Sequence, residues 1–408
     1  YNLEVRGNQA PIYGGGMLDI HSSPHVESVL FDGNRISGSD YSYNGGGMSD
    51  LYYDCSPTLM HVTFTNNIAP MGGGYGSGGS PYLEDVIFSN NHVTIQGYGG
   101  GAYFHTVTNA ILKGVTFSNN WSYLGGGLYI VGYTDQEYHL SMTDTTFIQN
   151  TVLGNASTSA GGGMAAKTNV TIDAANVSFI GNSAAEDGGG AFIDSSTLNL
   201  HNGLFLGNLA QNRAGGGLCG QYGAKVTLTN TTFHGNKVPD DAYDMGGAIA
   251  TDFGNSQITV TNSILWGNSP NETYNMVNSS TFTISYSDVQ QNSGVYAGTG
   301  NINSDPLFVT PIDANQAPTT AGDLHLSPIS PVIDAGNNDD VTVTTDFDGN
   351  PRLIDVLAVA DTGNGTAPIV DMGAYELAAA SGEGEGEGWF EGEGEGGLEG
   401  EGEGEGEG

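Results

Sequence analysis

The chain has 408 residues, of which 66 are glycine, and it carries 45 Asp and Glu against only 8 Lys and Arg. The formal net charge of −37 disfavours nucleic acid and anionic membrane surfaces as partners, and it leaves divalent cations, cationic proteins and neutral glycans. No apolar run reaches the length of a membrane-spanning helix, so we expect no transmembrane segment in this chain.

Two short motifs alternate along most of the chain. The first is an apolar residue, usually Phe, followed three residues later by Asn, as in FDGN at Phe31 and FSNN at Phe88. The second is a run of glycines, as in GGGAY at Gly99 and GGGLY at Gly125. Between Phe31 and Leu265 the first motif recurs on average every 29 residues or so. A period of this length is typical of a solenoid, in which each repeat packs only on its neighbours.

The segments between the motifs indicate short strands. They alternate apolar and polar residues and are rich in β-branched and aromatic side chains, as in HLSMTDTTF at 139–147. The sequence therefore predicts an all-β parallel β-helix of about ten coils over residues 1–304. In this fold the Phe residues stack inside, and the Asn residues turn the chain in a left-handed conformation and hydrogen-bond to one another along the axis. The glycines form a second turn.

The composition changes twice after the repeats. Residues 305–377 contain Pro and Asp-Gly turns between short apolar runs, which predicts a small β cap packed on the last coil. Residues 378–408 are almost entirely Gly and Glu, so a disordered acidic linker is expected there. The only cysteines, Cys55 and Cys219, lie about five coils or roughly 25 Å apart, so both are predicted to be free thiols.

The two motifs resemble the FxxN and GGA[ILV] repeats of the chlamydial polymorphic outer membrane proteins, surface adhesins with right-handed parallel β-helical passenger regions. GGAI at Gly246–Ile249 matches outright, and the other clusters match as GGG followed by Met, Leu, Tyr or Ala. The stretches SPVIDAG, DFDGNPR and VDMGAYE resemble the choice-of-anchor Q domain of bacterial surface proteins. Together these resemblances imply a secreted or surface-held bacterial protein whose parallel β-helix is right-handed.

Tyrosines collect near the glycine runs, at the edge where insertions between repeats also accumulate. They are Tyr13, Tyr43, Tyr98, Tyr123 and Tyr243. Such a row has two interpretations. It is a ligand-binding surface that stacks on sugar rings or anchors a protein partner, or it is an aromatic ladder that closes a corner.

The loop DFDGN offers Asp346, Asp348 and Asn350 at alternating positions, an arrangement that suits the oxygen ligands of Ca²⁺. An Asp-Gly pair is also a turn signal in its own right, so a metal site and a simple turn both remain open. Apart from this optional Ca²⁺, the sequence requires no cofactor.

No catalytic constellation emerges from the spacing of the residues. The eight basic residues do not place an Arg or Lys beside carboxylates at matching phases of neighbouring coils, as a polysaccharide lyase needs. Asp240, Asp241 and Asp244 form either a hydrolase-like carboxylate group or a solvated turn. We therefore predict a non-catalytic, secreted cell-surface protein that acts in adhesion, glycan contact or end-to-end assembly into a surface layer or fibre. A polysaccharide lyase or glycoside hydrolase is the alternative.

Overall fold

The computed structural model describes residues 2–38, 44–94, 96–154, 159–239, 246–276 and 279–377. Over these residues the chain is all-β and winds into a parallel solenoid of about ten turns. The predicted parallel β-helix is thus confirmed. The Gly-Glu tail, residues 378–408, lies outside the described residues.

Each coil contributes strands in turn to three parallel sheets, called sheet A, sheet B and sheet C. The described strands of sheet A, some coils contributing two, are Leu3–Arg6, His25–Glu27, Val29–Asp32, Thr58–Met60, Thr63–Thr65, Tyr82–Glu84, Ile87–Ser89, Asn109–Lys113, Thr116–Ser118, Tyr138–Ile148, Val170–Ile180, Thr197–Leu206, Lys225–His234, Gln257–Thr261, Ile264–Trp266, Thr281–Ser285 and Asp288–Val289. Those of sheet B are Gln9–Ala10, Arg35–Ile36, Ile68–Ala69, His92–Val93, Trp121–Ser122, Thr151–Val152, Ser183–Ala184 and Leu209–Ala210. Those of sheet C are Met17–Asp19, Met48–Asp50, Tyr75–Ser77, Ala102–His105, Leu128–Val131, Met164–Lys167, Ala191–Asp194, Leu218–Gln221, Ile249–Asp252 and Thr273–Asn275.

The repeated phenylalanines form a continuous column inside the solenoid. Phe88 pairs in register with Phe117, and their ring centroids are 4.8 Å apart with ring planes inclined by only 6°. The same stacking runs from Phe31 to Phe233, and these rings are almost completely buried. Because each ring removes on the order of 150 Å² or more from water, the column is a major part of the core.

The repeated asparagines form a buried ladder beside the phenylalanine column. Asn120 Nδ2 donates to Oδ1 of Asn150 at 2.9 Å and to the carbonyl of Phe88, also at 2.9 Å. Oδ1 of Asn120 accepts from the amide nitrogen and Nδ2 of Asn91 at 2.9 and 3.1 Å. Each side chain therefore ties its own coil to both neighbours, and the pattern continues from Asn34 to Asn236.

The left-handed turn lies one residue earlier than predicted. Among the described residues, positive φ is found at the position before each ladder asparagine, for example 65° at Gly33, 55° at Asn90 and 53° at Asn119, and not at the ladder asparagine itself. The reason is geometric: the ladder side chain has to point inward, while the residue before it makes the turn with its side chain outside. Gly and Asn adopt this conformation most easily, which explains their prevalence there.

The glycine runs form the second turn, as predicted, and they also let the backbones of neighbouring coils approach closely. The first glycine has positive φ, 66° at Gly99 and 63° at Gly125. A Cβ atom on Gly100 would lie only 2.3 Å from the carbonyl oxygen of Gly126 in the next coil. Any larger residue would push the coils apart at this corner.

Both cysteines, Cys55 and Cys219, are buried and form no disulfide, as predicted.

At the N-terminal end the interior of the solenoid is partly polar, because Asp50 occupies an inward-facing position of sheet C. Its Oδ2 accepts a hydrogen bond of 2.7 Å from Ser77 Oγ. Burial raises the pKa of Asp50 to about 7.

Residues 305–377 form a small region with little regular structure. It contains one antiparallel pair, Phe308–Thr310 with Asp323–Leu326, and two short 3₁₀ helices, Ala314–Gln316 and Asn338–Asp340. The remaining residues are turns and loops held by backbone and Asp or Asn side-chain hydrogen bonds.

This region packs along the outer face of sheet A and not on the last coil, where the sequence placed it. Ala374 N donates to Thr232 Oγ1 at 2.9 Å, for example. The cause is the apolar outer face of these coils: Leu204, Leu206 and Ile264 point outward and are buried by the C-terminal region. The last coil is closed by the preceding segment, in which Tyr296 packs against the core.

The ladder predicts different effects for two adjacent asparagines. Asn120→Ala removes partners from several buried polar groups, so we expect it to lower the free energy of unfolding by on the order of 3 kcal/mol. Asn119 is exposed and left-handed, so Asn119→Gly should change it by less than about 1 kcal/mol. Chemical denaturation followed by circular dichroism measures both values. Equal losses in the two variants would contradict the ladder as the source of stability.

Candidate functional site

Three of the five tyrosines near the glycine runs are described, and all three are half-buried. Tyr98 packs in an apolar strip on the outer face of sheet C. This contact is that of a structural aromatic ladder, and the use of the row in binding stays a prediction. The described tyrosines are Tyr13, Tyr98 and Tyr123. Tyr43 and Tyr243 lie outside the described residues, as do the candidate acidic residues Asp240, Asp241 and Asp244.

The loop predicted as a turn or a Ca²⁺ site has the contacts of a turn. Oδ1 of Asp346 accepts from the amides of Asp348 and Asn350 at 3.0 and 2.7 Å, and its Oδ2 accepts from the amide of Glu376 at 2.9 Å. Asp348 Oδ2 lies 2.7 Å from His325 Nε2. The Asp346 carboxylate is thus engaged by backbone donors.

Exposed aromatic side chains occupy a different corner, the one that follows sheet C. Among the described residues, five aromatic side chains are more than a third exposed: Tyr52, Tyr53, Tyr133, Tyr222 and Phe253. All five follow a strand of sheet C. Exposed rings gathered on one edge of a solenoid mark a surface that a ligand or partner can cover.

Tyr222 and Phe253 form a stacked pair on this edge. Their ring centroids are 5.2 Å apart with ring planes inclined by 4°, although the residues are 56% and 38% exposed. Both residues have positive φ, 49° and 46°. This conformation costs a non-glycine residue roughly 1–2 kcal/mol. Gly or Asn would fit the corner at lower cost, so the bulky rings are not there to make the turn.

A buried ion cluster holds the base of the stack. The guanidinium carbon of Arg213 lies 5.2 Å from the centroid of the Phe253 ring, and Arg213 Nη2 is paired with the Asp252 carboxylate. Asp252 Oδ1 also accepts from the amide of Phe253 at 2.8 Å. Gln221 Nε2 donates to Oδ2 of Asp187 and of Asp252 at 3.1 and 3.3 Å. Burial raises the pKa of Asp187 to about 7, although Arg213 opposes this shift.

A shallow polar groove of about 280 Å³ adjoins Tyr222. Hydroxyl and amide groups dominate its walls, with one acidic and one basic side chain. Such a surface can stack on one face of a ligand and hydrogen-bond to its edges. The lining residues are Glu137, Asn169, Val170, Thr171, Ser195, Ser196, Thr197, Tyr222, Gly223 and Lys225.

A second polar cavity, of about 300 Å³, lies where the asparagine ladder ends. The last ladder residue, Asn268, donates from its amide to Glu272 Oε1 at 3.1 Å and from Nδ2 to Glu272 Oε2 at 2.6 Å. Burial raises the pKa of Glu272 to about 8. Glu272 thus takes the place of the next ladder asparagine and accepts from the two groups that would have donated to it. Gln290, Gln291 and Tyr296 also line this cavity.

Comparison with protein-family models gives no match for the chain, and comparison with curated protein sequences gives none either. The class that the structure defines is therefore that of its fold, the parallel β-solenoids. Within the described part of the chain, no helix has the length and apolar character needed to cross a bilayer.

The buried carboxylates predict that stability increases as the pH falls from about 8.5 to 6.5. Burial raises the pKa of Glu272 and Asp288 to about 8 and that of Asp187 and Asp371 to about 7. Because the unfolded chain keeps ordinary carboxyl pKa values, the folded state takes up these protons first and is stabilised. Melting temperatures across this range measure the effect.

Glu272→Gln removes one of these titrating groups and should reduce the slope. Below a pH of about 6.5 the increase should become less steep, since burial lowers the pKa of His201 and His234, and charging them favours unfolding. A melting temperature that rises with pH over the upper range would contradict the assignment.

Proposed function

We propose that the protein is a non-catalytic binding protein of the bacterial cell surface that contacts uncharged glycans through the Tyr222 groove. The observation that carries the proposal is the exposed Tyr222–Phe253 stack, held in a strained backbone conformation beside hydroxyl and amide groups. Strained residues that persist at a surface are a recognised marker of functional sites.

The chemistry of the groove favours a carbohydrate over other ligands. Sugar rings present apolar C–H faces that pack on an aromatic ring and hydroxyl groups around their edges. Asn169, Ser195 and Thr197 supply donors and acceptors of that kind. The net charge of −37 disfavours acidic polysaccharides, so the expected ligand is neutral.

The solenoid offers more than one such contact along the same edge. Tyr133 precedes Tyr222 by three coils, which at about 4.8 Å per coil places the two sites roughly 15 Å apart. A repeated row of weak sites suits adhesion, because linked contacts bind more tightly than each one alone. Secretion and attachment to the cell surface belong to the proposal and rest on the resemblance to surface-protein repeats.

The test compares Tyr222→Asn with the full-length parent chain. Asn tolerates the left-handed conformation, so the melting temperature should stay the same or rise. Loss of the ring should weaken binding of neutral oligosaccharides about tenfold or more. A glycan array with neutral and acidic members identifies the ligand, and calorimetry measures the affinity of both proteins.

The matched control is Ile87→Ala, which removes an exposed apolar side chain from sheet A that does not line the Tyr222 groove. It should bind a short oligosaccharide as the parent does. Unchanged affinity of the Tyr222 variant, or no neutral glycan bound by the parent, would refute the proposal. Cleavage products in the presence of Ca²⁺ would favour a polysaccharide lyase or glycoside hydrolase instead.

A further inference from the structure

Three aspartates of the C-terminal region converge on one point. One carboxylate oxygen from each of Asp334, Asp355 and Asp361 lies within 4.8 Å of the other two. In the part of the chain that the structure describes, no other group of three acidic, His or Cys side chains comes together so closely. Asp355 and Asp361 are exposed, whereas Asp334 is completely buried.

The buried member of the group has no hydrogen-bond donor in normal geometry among the described residues. Neither carboxylate oxygen of Asp334 accepts a hydrogen bond within normal limits of distance and angle. The neighbouring buried carboxylate of Asp371, in contrast, accepts from the amides of Asp334 and Leu377, both at 2.8 Å. A buried carboxylate that lacks donors is costly, and two further carboxylates beside it increase that cost. A cation would supply the partner that the Asp334 carboxylate lacks.

The backbone holds the group together. The amides of Thr362 and Gly363 donate to the carbonyl oxygen of Asp334 at 2.9 and 3.1 Å, which fixes the segment after Asp361 against it. A turn between Val356 and Val359, closed by a hydrogen bond of 2.7 Å, lies between the other two aspartates. The three carboxylates are therefore kept close although they repel one another.

We propose that Asp334, Asp355 and Asp361 form a binding site for a divalent cation, Ca²⁺. Carboxylate oxygens are the ligands that this ion prefers, and it accepts six to eight oxygens in irregular geometry. The two exposed aspartates leave room for water ligands. Mg²⁺ fits less well because it demands a regular octahedron, and Zn²⁺ would favour His or Cys, which this group lacks. The site is distinct from the Asp346 turn, whose carboxylate is engaged by backbone amides.

The electrostatics of the site agree with this assignment. Burial, and then the charge of Asp361, raise the pKa of Asp334 to about 6, while the Val356 amide opposes the shift. Binding would join the segment around Asp334 to that around residues 355–361.

The experiment titrates the chelator-treated full-length protein with CaCl₂ by calorimetry, at physiological ionic strength and with excess Mg²⁺ to suppress diffuse binding to the acidic tail. We expect one site with a Kd of roughly 10⁻⁴ to 10⁻³ M. Asp355→Asn and Asp361→Asn should each weaken it at least about tenfold. Both residues are exposed, so both variants should fold.

We expect Ca²⁺ to reverse the order of stability of the variants and the parent chain. In chelator, Asp355→Asn should raise the melting temperature because it relieves repulsion, whereas in saturating Ca²⁺ the parent chain should be the more stable. The matched control, Asp348→Asn, removes a carboxylate from the other candidate loop and should leave Ca²⁺ affinity unchanged. Parent-like binding by both cluster variants, loss of binding in the control, or no binding to the parent chain would each overturn the proposal.

Discussion

The buried asparagine ladder is the interaction on which the rest of the structure depends. Each ladder side chain has to pair with its equivalents in the coils before and after it, because a buried amide without partners is costly. This requirement fixes the register between coils at one point per turn. Once this register is fixed, equivalent positions elsewhere in neighbouring coils lie above one another, so the phenylalanine rings stack in a column. The Tyr222–Phe253 stack follows as well, since both residues come seven positions after the first glycine of their run.

A ladder of this kind needs a partner at its end, and the chain supplies charged groups for that purpose. Glu272 accepts the last two donors of the inner ladder. A shorter outer ladder joins Asn202 to Asn176, and Arg352 ends it by donating to Asn202 Oδ1 at 2.6 Å. Arg352 is itself buried and paired with Glu376 at 3.2 Å. The stretches DFDGNPR and VDMGAYE thus supply the groups that join the C-terminal region to the side of the solenoid.

The repeat made the fold predictable from sequence, because a residue type that recurs at one phase has one environment. Features that depend on residues at different phases were missed. Arg213 lies before its glycine run and Asp252 lies after the next one, so their spacing gave no sign that they pair. The position of the C-terminal region was predicted wrongly because the outward-facing Leu204 and Leu206 looked like ordinary strand residues. The aromatic stack did leave a signal, the Tyr-Gly and Phe-Gly pairs at equal distance from successive glycine runs.

Backbone strain separates the candidate binding residues from the structural ones. Most described residues with positive φ are Gly, Asn, Asp, Ser, Thr or His, and the bulky apolar or aromatic exceptions are Tyr222, Phe253, Tyr286 and Leu307. Tyr286 and Leu307 are partly buried, so packing within the chain offsets the cost of their conformation. Tyr222 and Phe253 remain 56% and 38% exposed, and their mutual stacking, worth about 0.5–1.5 kcal/mol, offsets only part of the cost of their conformation. The rest of the fold carries the remaining cost, and this strain at an exposed position is the physical basis for proposing a ligand there.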